Sequence, residues 1–507
     1  MKNKKLFPLA MAAVMGVSLF AGCGQTGTSS AESVSSGQTT ETNTQSGEPT
    51  EIIWMIRNEE PKNFDSVMAA VNEKLLKEKN MTLDLRCIAP GDYDTKMQMA
   101  MAGGDEWDLC FTSHWANNYV NAAGKGAYLE LSEEMLNENA PNLMATIPEN
   151  LWNGVKVNGN IYALMNYQAM YDQAGMMFLK SAVDEQGIDV TTVNSWESLN
   201  KTIADLAAAY PDKYATRGGG VINHDLMLQD VPLSTIMNMP FLTYDPETNK
   251  VSNTLYFDRI QENLASAKEW KDKNYAPADA ATIKDENTLL SQGQILSRYQ
   301  RVKPGVDAAL KNTYGNEWVT VPMGDPYINT MAVQSTLTAV NVNSEHPEEA
   351  IQLYDYIFGD KEISNMLFYG LEGQDYELVN GRVKKLEDCW SAPAWMIGNQ
   401  FNALLTEADV EGVWEETMKG NEEATLDPLF GFVPDRSNIE TEMANCEAIW
   451  TEYKDILYYG LQDQSVAVPE MLDKMNKAGL EKVTAEIQNQ VRSEERRVGK
   501  ECRSRWS

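Results

Sequence analysis

Residues 51–87 read EIIWMIRNEEPKNFDSVMAAVNEKLLKEKNMTLDLRC and change hydrophobic period twice. Residues 51–55 are a short apolar run of strand length. Phe64, Val67, Met68, Val71 and Leu75 then recur at helical spacing, and Met81, Leu83, Leu85 and Cys87 alternate with Thr82, Asp84 and Arg86 as in a half-buried strand. A further helix is expected over 93–101 and a third strand over 108–111. Alternation of strands and helices at these lengths specifies an α/β fold with a parallel sheet.

Outward from this unit, 155–157 and 161–163 flank Asn158-Gly159, a pair that favours a type I′ hairpin turn. A second α/β pattern follows, with a helix expected over 195–208 and two short strands joined through the turn 245–249. Residues 336–342 read as a strand. Pro347 opens a helix that places Ile351, Tyr354, Ile357 and Phe358 on one face. From about Asn399 onward the pattern is mostly helical. The stretch 51–491 is 441 residues, enough for two or three lobes.

Both ends differ from this body. Lys2, Lys4 and Lys5 precede an apolar run over 6–20 that is short for a bilayer span, as in an export signal over 1–22. Leu19-Phe20-Ala21-Gly22-Cys23 resembles a bacterial lipoprotein signal, which implies lipidation of Cys23 and display on the outer face of the cell membrane. Residues 24–50 are almost wholly polar and small. They cannot bury a core, and as a tether of 27 residues they would reach roughly 30 Å. The last sixteen residues, RSEERRVGKECRSRWS (492–507), resemble the in-frame translation of a sequencing-library adapter. They are expected to make no packing contacts.

Removing the three leader lysines and the tail's six bases against three acids takes the net charge from −32 to −38. Nucleic acid and anionic headgroups are poor partners for such a body. Cys87, Cys110, Cys389 and Cys446 show no metal or redox spacing, and burial as small hydrophobes is expected.

Several short motifs follow one another in a set order along 51–491. They include Gly91-Asp92-Tyr93 with Lys96, Asp108-Leu109-Cys110-Phe111-Thr112, Lys125-Gly126-Ala127-Tyr128-Leu129 and Val157-Asn158-Gly159-Asn160-Ile161-Tyr162-Ala163. Tyr369-Gly370-Leu371-Glu372-Gly373, Gly398-Asn399-Gln400-Phe401, Phe430-Gly431-Phe432-Val433 and Lys477-Ala478-Gly479-Leu480 complete the series. In these the chain resembles the type-1 extracellular solute-binding proteins of ABC importers, in the lipoprotein subgroup with a C-terminal helical region. The resemblance implies a two-lobed, class II periplasmic-binding-protein-like fold. Lobe one would be 51–165 plus 330–370, and lobe two 166–329 plus 371–491. It further implies a solute, most often a carbohydrate, held between closing lobes and passed to a membrane permease by a monomer that needs no cofactor.

A sugar offers apolar C–H faces and a rim of hydroxyls, so its site needs aromatic platforms and planar polar groups. In open α/β sheets ligands lie beyond the carboxyl ends of the strands. Trp54, Arg57, His114 and Trp115 follow strands one and three, and Asn166, Tyr167 and Gln168 fall at the expected hinge. Arg298, Tyr299, Trp395, Asn399 and Gln400 are the candidates further along. For Trp54 core packing competes with ligand contact, and Arg57 has Glu59 and Glu60 as alternative partners.

An enzyme with two carboxylates across a cleft, such as a glycoside hydrolase, is the competing class, and a sensor or adhesin would share the binder's fold. Zinc, Ser/His and P-loop chemistry have no motif here: there is no H-E-x-x-H or G-x-S-x-G, and the three histidines, His114, His224 and His346, are scattered. Gly218-Gly219-Gly220 lacks a P-loop lysine and reads as a flexible loop.

Overall fold

The structure, a computed structural model, describes residues 47–219 and 233–504, without the side chains of Arg259 and of 494 onward. The leader, Cys23, most of the tether, Gly220, His224 and the last three tail residues lie outside the described residues.

The opening strand Thr50–Arg57 is central because its side chains are buried on both faces over Trp54, Met55 and Ile56. It pairs in parallel with Met81–Ile88 on one side and with Leu109–Thr112 on the other. The helix Phe64–Lys79 returns between the first two and buries Val67, Met68, Val71 and Leu75, the stripe read from the sequence. Asp108 closes the entry to the third strand, its Oδ2 accepting the backbone N–H of Ile53 at 2.8 Å.

Two short strands complete this sheet in the opposite sense. Leu337–Val340 runs antiparallel to Leu109–Thr112, and Ala163–Met165 antiparallel to Leu337–Val340. The sheet is therefore mixed, parallel only in its first three strands. Pro347–Gly359 has its proline in the first turn and packs Ile351, Tyr354, Ile357 and Phe358 onto the core.

A second sheet has Ala174–Leu179 at its centre, with Ser297–Arg301 and Trp318–Pro322 both antiparallel to it. The helix Trp196–Ala209 packs there, capped by Ser195 with a reciprocal bond from Ser198. The turn over 245–249 joins Met239–Asp245 to Lys250–Asn253 as expected. The C-terminal helices Glu440–Tyr458, Gln464–Ala478 and Leu480–Ser504 cover this second body. Leu480, Val483, Ile487 and Val491 are buried, whereas Arg492 and Ser493 are exposed.

Two separate hydrophobic cores define the lobes. The first collects residues from Ile52 to Met170 and from Ile328 to Ala403, with Trp414, Leu426 and Phe430 packed against it. The second collects Ala174 to Met323 and Phe432 to Val491. This corrects the expected boundary, since 371–430 packs with the first lobe. Asp375 shows why. Its buried carboxylate accepts from Asn63 Nδ2 and from the backbone N–H of Trp390, both at 2.7 Å, and so ties the segment to the helix after strand one.

The chain crosses between cores three times, near 171–173, 324–327 and 430–432. The crossings touch one another. Asp172 and Tyr327 exchange backbone hydrogen bonds, and Tyr327–Ile328 pairs in parallel with Thr425–Leu426. Few backbone torsions then separate the lobes, which is the geometry of a hinge.

Of the glycine run, Gly218 and Gly219 are packed more tightly than a flexible loop. A Cβ on Gly219 would lie 2.2 Å from the Tyr459 ring, over which Arg217 also stacks at 4.9 Å. Among the cysteines of 51–491, all unpaired, Cys110 and Cys446 are buried while Cys87 and Cys389 are half-buried.

Candidate solute-binding cleft

The loop after Leu109–Thr112 carries the chemistry of the first lobe toward the second. Ser113 fixes it: its Oγ accepts the backbone N–H groups of Trp115 and Ala116 at 3.2 and 2.8 Å. Trp115 is thereby held outward, 44% exposed, with its indole N–H donating to the Ser335 carbonyl at 2.8 Å. The Arg57 guanidinium stacks 5.0 Å from its ring centroid, and Trp395 and Phe111 stand at 6.2 and 5.8 Å. Gln168 joins the group through Ser335, donating to its Oγ at 3.1 Å. The result is a tilted aromatic platform with a cation above it and an amide beside it.

His114, on the same loop, has its ring against the Asn238 amide of the second lobe. Burial, with the Arg301 charge, holds its pKa below the ordinary value despite that contact, which favours the neutral imidazole. Arg301 in turn pairs with Asp172 at 2.8 Å, beside the first crossing. The two lobes thus meet at His114 and Asn238.

Beyond this meeting point a cavity of about 620 Å³ opens between the lobes. Asn118, Asn121 and Asn158 line the first-lobe wall, and Asn238 and Arg436 the second. Two hairpin turns supply its tips. Asn158 and Gly159 have φ of 52° and 91°, the left-handed pair that a type I′ turn demands, and Asn238 stands at 56°. Its volume lies in the ordinary range for small-molecule sites, roughly 300–1,000 Å³.

Arg57, Trp115, Gln168 and Trp395 are the sequence candidates that the fold brings together, with His114 close by. The fold places the others differently. Trp54 is 1% exposed and packs edge-on against Tyr354 at 5.9 Å, so it has no face to offer a solute. Asn166 is fully buried and joins four partners, Thr336, Thr338, Tyr354 and the backbone N–H of Gly398. The Tyr167 ring is buried edge-on against Phe401 at 4.8 Å. Asn399 is turned inward to accept the backbone N–H of Phe401, and the backbone N–H of Gln400 donates to Tyr167 O. Arg298 is committed to Glu286 at 2.7 Å, an acid that Arg217 also grips, and Tyr299 packs partly buried on the second core.

Ser335, Asn118, Asn121, Asn158 and Asn238 were absent from the sequence candidates. Asn158-Gly159 was legible as a turn, but nothing local places that turn opposite Asn238. Among the described residues no group of acidic, histidine or cysteine side chains could hold a metal ion. Nor is any described helix long and apolar enough to cross a membrane.

Two lobes, three adjacent crossings and an interlobe cleft constitute the architecture of the extracellular solute-binding proteins. The chain is similar to one protein of that kind: it is 26% identical over 502 residues to a carbohydrate ABC transporter substrate-binding protein of Streptococcus pneumoniae, spanning 97% of this chain and 98% of the relative. The crystal structure of the N-glycan transport solute-binding protein NgtS from Streptococcus pneumoniae superposes with a TM-score of 0.76 at 24% identity, covering 88% of this chain and 98% of that one. The structure of NgtS with Man1GlcNAc gives 0.67 at the same identity, covering 87% and 99%. Residues 428–493 match a domain of unknown function, DUF3502.

Proposed function

We propose that this protein is the extracytoplasmic substrate-binding component of a carbohydrate ABC importer, which captures an oligosaccharide by closing two lobes and releases it unaltered to a permease. The observation that carries the reading is the cleft itself: an outward aromatic platform at Trp115 and Trp395 flanked by Arg57 and Gln168, and beyond it an asparagine-lined cavity between bodies joined by a hinge. Aromatic faces match sugar C–H surfaces, and planar amides match pairs of hydroxyls. End-to-end similarity to a carbohydrate ABC transporter substrate-binding protein supports the transport role. The monomeric state, permease docking and lipid attachment at Cys23 belong to the same reading.

The test is a thermal-shift panel of neutral oligosaccharides, including Man1GlcNAc, with the mixtures then analysed by chromatography. A ligand present at 100 times its Kd should stabilise by about 2.7 kcal/mol with the saccharide recovered intact. Catalytic cleavage of any saccharide would overturn the assignment. Expression with a radiolabelled fatty acid should label the wild type and not Cys23→Ser.

A further inference from the structure

The cavity beyond the His114–Asn238 meeting point is separate from the aromatic platform, and its chemistry differs. Four charged side chains line it, Lys125 on the first lobe and Asp435, Arg436 and Glu440 on the second, and their formal charges cancel. The charges nearest its second-lobe turn are already occupied. Arg436 donates to the carbonyls of Met237 and Asn238 at 3.0 and 3.2 Å and to Glu447 at 3.3 Å, while Asp435 accepts the backbone N–H of Ser437 at 2.9 Å. By contrast the side-chain amides of Asn121 and Asn158, both exposed, have no hydrogen-bond partner among the described residues.

An amide carries two donors and a double acceptor in one plane, the complement of vicinal hydroxyls. An anion would enter a region with no uncommitted net positive charge, on a chain of net charge −32. Resting on the saccharide-binding reading, we propose that this cavity is a second station of the cleft, which takes an uncharged arm of an extended oligosaccharide whose other part lies on Trp115. The platform then sets affinity for a short saccharide, and the cavity sets preference for a longer, neutral one.

The experiment uses calorimetry on the wild type, Asn121→Trp and Glu440→Trp, the last two filling the cavity from opposite walls at exposed positions. The probes are Man1GlcNAc, larger neutral mannose-type and milk-type oligosaccharides, and sialylated counterparts of equal length. The expected result is that neutral oligosaccharides longer than a disaccharide bind best to the wild type. Each tryptophan variant should lose at least tenfold in affinity for these while disaccharide affinity changes less than twofold. Preference for the sialylated probes, or long-chain affinity unchanged in both variants, would overturn the proposal and leave the saccharide-binding reading intact. Absence of saccharide binding by the wild type would refute that reading itself, and the second station with it.

Discussion

Asn421 clamps Gln168 within the first lobe: its Nδ2 donates to the Gln168 carbonyl at 2.8 Å while its Oδ1 accepts the backbone N–H groups of Met170 and Tyr171 at 2.7 and 3.3 Å. Asn421 is buried on the helix Val413–Glu423, and residues 168–170 lead directly into the first crossing. Asn421→Ala would leave the Met170 and Tyr171 N–H groups and the Gln168 carbonyl without this partner, at about 1–3 kcal/mol for each group that stays buried. Urea unfolding should show a loss of about 2–5 kcal/mol, with Asn421→Asp between the two because it keeps the acceptor. A loss below about 1 kcal/mol in the alanine variant would mean the clamp is dispensable.

Two tryptophans near strand ends should behave oppositely. Trp54 is 1% exposed, and Trp54→Ala should cost about 3–5 kcal/mol in stability through the cavity it leaves. Trp115→Ala removes an exposed platform. It should lower saccharide affinity by tenfold or more, in the manner of an interface anchor of about 2 kcal/mol, with little change in denaturation midpoint. Calorimetry paired with chemical denaturation separates the two outcomes.

Asp427 stands just before the third crossing, and burial pushes its pKa up to about 6, although the backbone N–H of Leu429 donates to it at 2.7 Å. A folded pKa above the unfolded value of about 3.9 means that the fold prefers the protonated acid. Its stabilising contribution is complete below about pH 4 and is lost as pH rises to about 6, by about 2–3 kcal/mol. Asp427→Asn keeps the acceptor and cannot ionise. The stability difference, wild type minus variant, should therefore fall between about pH 4 and 6 and stay level above pH 7. A flat difference across that range would show that Asp427 titrates normally.

Gly219 lies beneath Tyr459, where an added Cβ would meet the ring at 2.2 Å. Gly219→Ala should displace the ring and the Arg217 guanidinium stacked on it, costing about 1–3 kcal/mol as overpacking does. Gly218→Ala meets no ring but sits at φ 85° with the Ala276 Cβ 3.1 Å from the added Cβ, so its cost should come from backbone strain, about 1 kcal/mol, plus that smaller crowding. Equal tolerance of both changes in thermal melts would show that the tyrosine is loosely held.

Properties set within a few residues could be read before folding was considered. The alternation of Met81, Leu83 and Leu85, the stripe from Val67 to Leu75, the left-handed pair Asn158-Gly159 and the proline that opens Pro347–Gly359 depend on local torsions and periodicity, and each is found where expected. Lobe membership depended on contacts between distant residues. Asn63 and Asp375 are 312 positions apart, yet their hydrogen bond helps assign 371–430 to the first core. Trp54 and Trp115 look alike as aromatics near strand ends, and only the closing of the sheet buries the first and leaves the second exposed. Asn238 meets His114 for the same reason: long-range packing brings two lobes together at side chains whose own neighbourhoods contain no trace of one another.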